Sequence, residues 1–163
     1  MSALPQATSL VDVPGALDVL QRLREPPRIL HIAAHSVLRD DAPIFSALQL
    51  SDALLSVEQC YELPLAGTEL VSLSACTTAS GLETGGALLA FQSAFLIAGA
   101  RSVLSSLWPI DDEAAAMFMH QLYGQIAAGL PPLAALRAAQ LALLRDPATD
   151  HSAIWAPFIC TLR

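Results

Sequence analysis

A thiol and an imidazole stand at the ends of two apolar runs. Ile29-Leu30-His31-Ile32-Ala33-Ala34-His35 ends on a histidine, and a second run closes through Leu73-Ser74-Ala75-Cys76 on a cysteine. Each reads as a short buried strand that stops on a residue able to do chemistry. In open α/β sheets the ligand site lies outside the carboxyl ends of the strands, so two such ends can face one crevice. A thiol beside an imidazole is the minimal equipment for nucleophilic acyl transfer. The pair points to a cysteine peptidase.

Holding these groups requires strands and helices, and the pattern alternates them. Leu17, Leu20 and Leu23 form a helical stripe within residues 14–24, ended by Pro26-Pro27. Residues 28–34 are the first clear strand. Residues 37–50 begin as a loop, and 44–50 form a β-arm turning back at Ser51-Asp52. Ser56 and Gln59 fit a capping box at the start of a short helix through Tyr61. Residues 69–75 are the second strand.

A polar loop, 77–83, follows Cys76, and Thr84 is an N-cap for a helix over 85–98 that stops at Gly99. Residues 101–107 are the third strand, closed by Trp108-Pro109. Asp111 or Asp112 can cap the next helix, 113–128, which ends at Gly129. Pro131-Pro132 opens another helix with Leu133, Leu136, Leu141 and Leu144 as its apolar positions. Residues 155–162 read as a final short strand. This order implies a largely parallel sheet covered on both faces, in one domain over residues 1–163.

Composition narrows the partners. The chain has 163 residues, 54% hydrophobic and 14% charged, which suits a well-buried core. A net charge of −7 with eight Lys+Arg leaves no basic face for nucleic acid and favours a basic protein or peptide target. The N-terminus carries no export signal. No run reaches the roughly 18 apolar residues of a membrane span, and 87–100 is broken by Gln92 and Ser93. Three cysteines, Cys60, Cys76 and Cys160, have neither disulfide nor metal spacing, so a reducing cytoplasm fits best and no metal or cofactor is implied.

An ordered series of short words then carries a family resemblance. It comprises His31-Ile32-Ala33-Ala34-His35, Phe45-Ser46-Ala47-Leu48, Leu73-Ser74-Ala75-Cys76-Thr77-Thr78-Ala79-Ser80-Gly81 and Ala98-Gly99-Ala100-Arg101-Ser102-Val103. Ser106-Leu107-Trp108, Asp111-Asp112-Glu113-Ala114, Ala135-Leu136-Arg137-Ala138-Ala139-Gln140 and Trp155-Ala156-Pro157-Phe158 complete it. The chain resembles a CHAT domain, the bacterial caspase-like module of clan CD, related to separases and caspases and often fused to TPR repeats.

The resemblance implies a three-layer α-β-α sandwich and a His35–Cys76 dyad. Cys76 attacks a peptide carbonyl, His35 gives the departing amine its proton, and the amides of Cys76 and Ser36 hold the oxyanion. The family has glycine where this chain has Ser36; the N–H donor survives, but a glycine-only backbone angle would not. By comparison with caspases, Ser74 walls the first specificity pocket. By similarity to separases, Asp111-Asp112 reach that pocket and select arginine or lysine. Helix capping is the competing role for this pair. The substrate is a protein or peptide, cut after a basic residue.

Only 28 residues precede Ile29, so the family's upstream strand-helix-strand unit is expected to be missing here. An open sheet edge calls for a TPR-type partner chain or a second copy. The alternative is a non-catalytic caspase-like interaction module in a bacterial signalling or defence assembly. Cys60 and Cys160 read as buried small hydrophobes. His31, inside its strand, His120 and His151 read as structural. Gly81-Leu82-Glu83-Thr84-Gly85-Gly86 lacks the spacing and lysine of a phosphate loop.

Overall fold

Strands and helices alternate through the described residues, 14–39, 41–74 and 85–163 of a computed structural model. They run α1 (Ala16–Gln21), β1 (Ile29–Ala33), β2 (His35–Val37), a 3-10 turn (Pro43–Phe45), β3 (Ala47–Gln49), β4 (Leu54–Ser56) and α2 (Val57–Tyr61). Then come β5 (Leu70–Ser74), α3 (Gly85–Ile97), β6 (Ser102–Ser106), α4 (Asp112–Ala127), α5 (Pro132–Arg145), α6 (Ser152–Trp155) and β7 (Phe158–Leu162). Four strands form one sheet in the order β1-β5-β6-β7, parallel except for antiparallel β7. The short β2, β3 and β4 form a separate antiparallel sheet.

Alternation along β5 builds two cores. Val71 and Leu73 join Phe91, Ala94 and Phe95 of α3 on one face, whereas Leu70 joins Phe118, Leu122 and Leu136 of α4 and α5 on the other. Successive strand residues point to opposite faces, so a strand buried on both sides is apolar almost throughout. Full burial of one such side chain contributes roughly 1.5–3 kcal/mol. On the second face Phe118 and Phe158 stack with ring centroids 3.6 Å apart, tying α4 to β7. Helices on both faces of a mostly parallel sheet give the expected α-β-α arrangement.

Local signals act where the chemistry predicts. The Ser56 hydroxyl accepts from the Gln59 amide at 3.2 Å, and the Ser56 amide donates to Gln59 Oε1 at 2.9 Å, completing the capping box of α2. Gly99 ends α3 with φ 116°, and the Ala100 amide closes the helix onto the Phe95 carbonyl at 3.1 Å. A Cβ on Gly99 would sit 2.7 Å from the Ala66 Cα, so this position requires glycine for space as well as conformation.

Several boundaries differ from the sequence expectation: the helix expected over 14–24 is Ala16–Gln21, and of the arm expected over 44–50 only Ala47–Gln49 are strand, since Pro43–Phe45 form the 3-10 turn. The strand expected over 28–34 ends at Ala33, and His35 opens β2 in the second sheet, because His35–Val37 pair with Gln49–Ala47 instead of continuing beside β5. Val37 therefore lies in a strand, not in a loop. The final strand begins at Phe158, since Ser152–Trp155 form one helical turn capped by the His151 side chain.

Candidate functional site

Register sets β1 and β5 side by side as far as Ala33 and Ser74. Parallel β1 and β5 pair Ile29 with Leu70, His31 with Ser72, and Ala33 with Ser74. Ser74 is the half-buried last residue of β5. Cys76, the expected nucleophile, lies outside the described residues, as do the polar loop 77–83 and the Thr84 cap.

His35 is exposed, two residues beyond the end of β1, and pairs across the small sheet with Gln49. Ser36 is 8% exposed, sits opposite Leu48 in the middle of β2, and therefore has strand backbone. That geometry accommodates a Cβ, so serine replaces the family glycine here without a glycine-only angle. Ser36, Leu38, Leu48, Leu73, Phe91 and Ser106 line a cavity of about 20 Å³, room enough for one water. The cavity joins the small sheet to the carboxyl ends of β5 and β6.

Asp111 caps α4: its Oδ1 accepts from the Glu113 amide at 3.0 Å and from the Ala114 amide at 3.4 Å. Asp112 is the first helical residue, and both aspartates are exposed. Acidic groups at this end also complement the positive pole of the helix. The capping role is thus present, and both of these bonds end on Oδ1.

Two polar clusters have partners the sequence did not reveal, and the first gives His31 the structural role expected of it. His31 Nδ1 lies 2.7 Å from the Tyr123 hydroxyl and 3.2 Å from the Ser72 hydroxyl, and burial holds the imidazole below its usual pKa. Burial also pushes the Tyr123 phenol up to about 12. On the opposite face, buried Gln92 of α3 donates from Nε2 to Ser105 Oγ at 2.7 Å. Gln92 interrupting an otherwise apolar helix was the sequence signal for this clamp. Tyr123 beside Leu122 in the α4 stripe was the weaker signal for the other. Both clusters fasten helices to strands that lead to the site.

The thiols outside the site are subdued. Cys60 has no solvent exposure, and burial raises its pKa to about 12; Cys160, half-buried, is also raised by burial. Among the described residues no group of three or more His, Cys, Asp or Glu could hold a metal ion. No described helix is long and apolar enough to cross a membrane.

The family model of the CHAT domain matches residues 1–162. The chain belongs to the CHAT domain family. CHAT domains lie within the caspase-like peptidase clan, in keeping with the mostly parallel sheet and its flanking helices. This CHAT domain is similar to tetratricopeptide repeat protein 28 of Mus musculus, 34% identical over 125 residues, and to its Homo sapiens counterpart, 33% identical over 120 residues. Each match takes in 74% of this chain but 5% of the relative. The chain therefore spans about a twentieth of the length of these curated relatives.

Proposed function

We propose that this CHAT domain is a cysteine endopeptidase that cuts a protein partner after a basic residue, with His35 and Cys76 as its dyad. The observation that carries the reading is the register. Parallel β1 and β5 end side by side at Ala33 and Ser74, two residues short of His35 and of Cys76 in the sequence, which supports a shared crevice at these strand ends. Membership of a caspase-like family supports the chemistry.

In this reading the Cys76 thiol passes its proton to His35 as its sulfur adds to the scissile carbonyl carbon, and the resulting oxyanion accepts from the Ser36 and Cys76 amides. His35 gives a proton to the departing amine, leaving a thioester on Cys76. Water then attacks the thioester, with His35 taking its proton, and the thiol is regenerated. Ser74 forms a wall of the first pocket. Asp111 or Asp112 pairs with the arginine or lysine held there; capping uses Asp111 Oδ1, so Oδ2 can serve a substrate.

The test is turnover of peptidyl-arginine, peptidyl-lysine and neutral coumarin substrates by the wild-type chain and by Cys76→Ala and His35→Ala. Hydrolysis of the basic substrates that either change abolishes is expected. Turnover surviving Cys76→Ala removes the dyad assignment. A second reading, a non-catalytic interaction module beside TPR repeats, is favoured by the relatives' names as tetratricopeptide repeat proteins. Retained binding to a TPR array with no labelling by an arginine-directed thiol probe would select it.

A further inference from the structure

The small antiparallel sheet presents an organised solvent face that contains the candidate histidine. His35 pairs with Gln49 across β2 and β3, and Gln49 pairs with Leu54 across β3 and β4. Directly opposed residues in antiparallel strands project to one face, with Cβ atoms about 4.5–5.5 Å apart. All three are exposed, Leu54 at 52%. The adjacent row, Ser36, Leu48 and Leu55, points inward and is 8%, 1% and 0% exposed. Val37, two residues beyond His35 on the same strand, returns to the outer face at 48% exposure.

A lone exposed leucine requires no explanation. Leu54 and Val37 differ because they share a sheet face with an imidazole placed to meet a leaving group. Resting on the peptidase reading above, His35 gives its proton to the departing amine, so the substrate residues after the scissile bond must pass the imidazole. Among the described residues, the exposed side chains of β2–β4 that share its sheet face are Gln49, Leu54 and Val37. None is charged, and two are aliphatic.

The geometry points to the row His35–Gln49–Leu54, flanked by Val37, as the specificity surface for the residues that follow the scissile bond, selecting apolar side chains there. Leu54 and Val37 supply the apolar contact. The Gln49 carboxamide, which both donates and accepts, bonds the substrate backbone. Selection on this side is separate from any selection of a basic residue on the acyl side.

Two internally quenched peptides test the assignment, each with arginine before the scissile bond and either leucine or aspartate at the two positions after it. A peptidyl-arginine coumarin, with no residue on that side, is the control. The wild-type chain is expected to favour the leucine peptide by about tenfold in kcat/KM, the range for an apolar contact of this size. Leu54→Asp should abolish that preference and Gln49→Ala should weaken turnover of both peptides, each read as a ratio to that variant's own coumarin rate. Both positions are exposed, and an unchanged Tm verifies folding.

A leucine preference that survives Leu54→Asp at normal coumarin turnover overturns the surface and leaves the peptidase reading intact. If the wild-type chain cleaves none of the three, the peptidase reading fails and the surface is judged by titration with the leucine peptide, followed through backbone amide shifts. Shifts centred on Gln49 and Leu54, absent with the aspartate peptide, uphold a recognition surface. Their absence overturns it.

Discussion

The Tyr123 hydroxyl lies 2.7 Å from Nδ1 of His31, joining α4 to the strand that leads to His35. The rings meet edge to face, with centroids 5.7 Å apart at 70°. Ser72, the register partner of His31, adds its hydroxyl 3.2 Å from the same nitrogen. One imidazole thus connects β1, β5 and α4.

Tyr123→Phe keeps the ring and its edge contact and removes only the hydroxyl. The expected loss is about 1 kcal/mol in urea unfolding, the net value of a typical internal hydrogen bond. An unchanged midpoint would mean that Ser72 alone satisfies the nitrogen.

Acid should weaken the fold through His31. Burial lowers its folded-state pKa below the unfolded 6.5, so between those two values the unfolded chain binds the extra proton. Stability therefore falls as pH drops through about 6.5 and stops falling, for this group, below the folded value. His31→Gln should flatten that part of the stability profile, whatever its cost at neutral pH. A profile of unchanged slope would exclude His31 as its source.

Two helix-ending glycines should respond differently to alanine. Gly99 and Gly129 both have positive φ, 116° and 97°, but a Cβ on Gly129 meets nothing within 4 Å. Gly129→Ala should cost roughly 1 kcal/mol of conformational strain. Gly99→Ala adds a clash with the Ala66 backbone and should cost about 3 kcal/mol in total. Equal Tm shifts would contradict the close packing of α3 against that turn.

Asp111→Asn separates capping from substrate selection. Asparagine caps as well as aspartate, so stability should hold within a few tenths of a kcal/mol, whereas Asp111→Ala should cost about 1 kcal/mol. If the carboxylate also selects a basic residue, the asparagine variant loses arginine preference at undiminished stability. Retained preference would restrict Asp111 to the helix cap.

Alkylation with iodoacetamide at pH 7.5 should spare Cys60, whose thiol is enclosed and has a pKa of about 12. Rapid single-site modification at Cys76, found by peptide mapping, is the outcome the dyad requires. Faster modification of Cys160 would count against an activated Cys76.

Much of the scaffold was legible because it depends on local signals. The Ser56–Gln59 box, the stop at Gly99 and the doubly apolar β5 are each determined by a few neighbouring side chains. The small sheet was less legible. Its strands have three residues each, too short for alternation to stand out, and pairing with Gln49 moved His35 out of the first strand. The Tyr123–His31 contact joins residues 92 apart, a distance over which periodicity carries no information. For the candidate dyad, sequence supplied both residue types, and the structure supplies the paired strand ends, Ala33 and Ser74, that precede them.

Ala34 alone separates the last residue of β1 from His35. The imidazole accordingly belongs to the ladder of Gln49 and Leu54, while Ser74 belongs to the ladder of the larger sheet. Among the described residues no hydrogen-bonded ladder contains both. The imidazole is thus tied to the larger sheet through Ala34 and through the buried row Ser36, Leu48 and Leu55 beneath it, and a change in that packing reaches the histidine before it reaches Ser74.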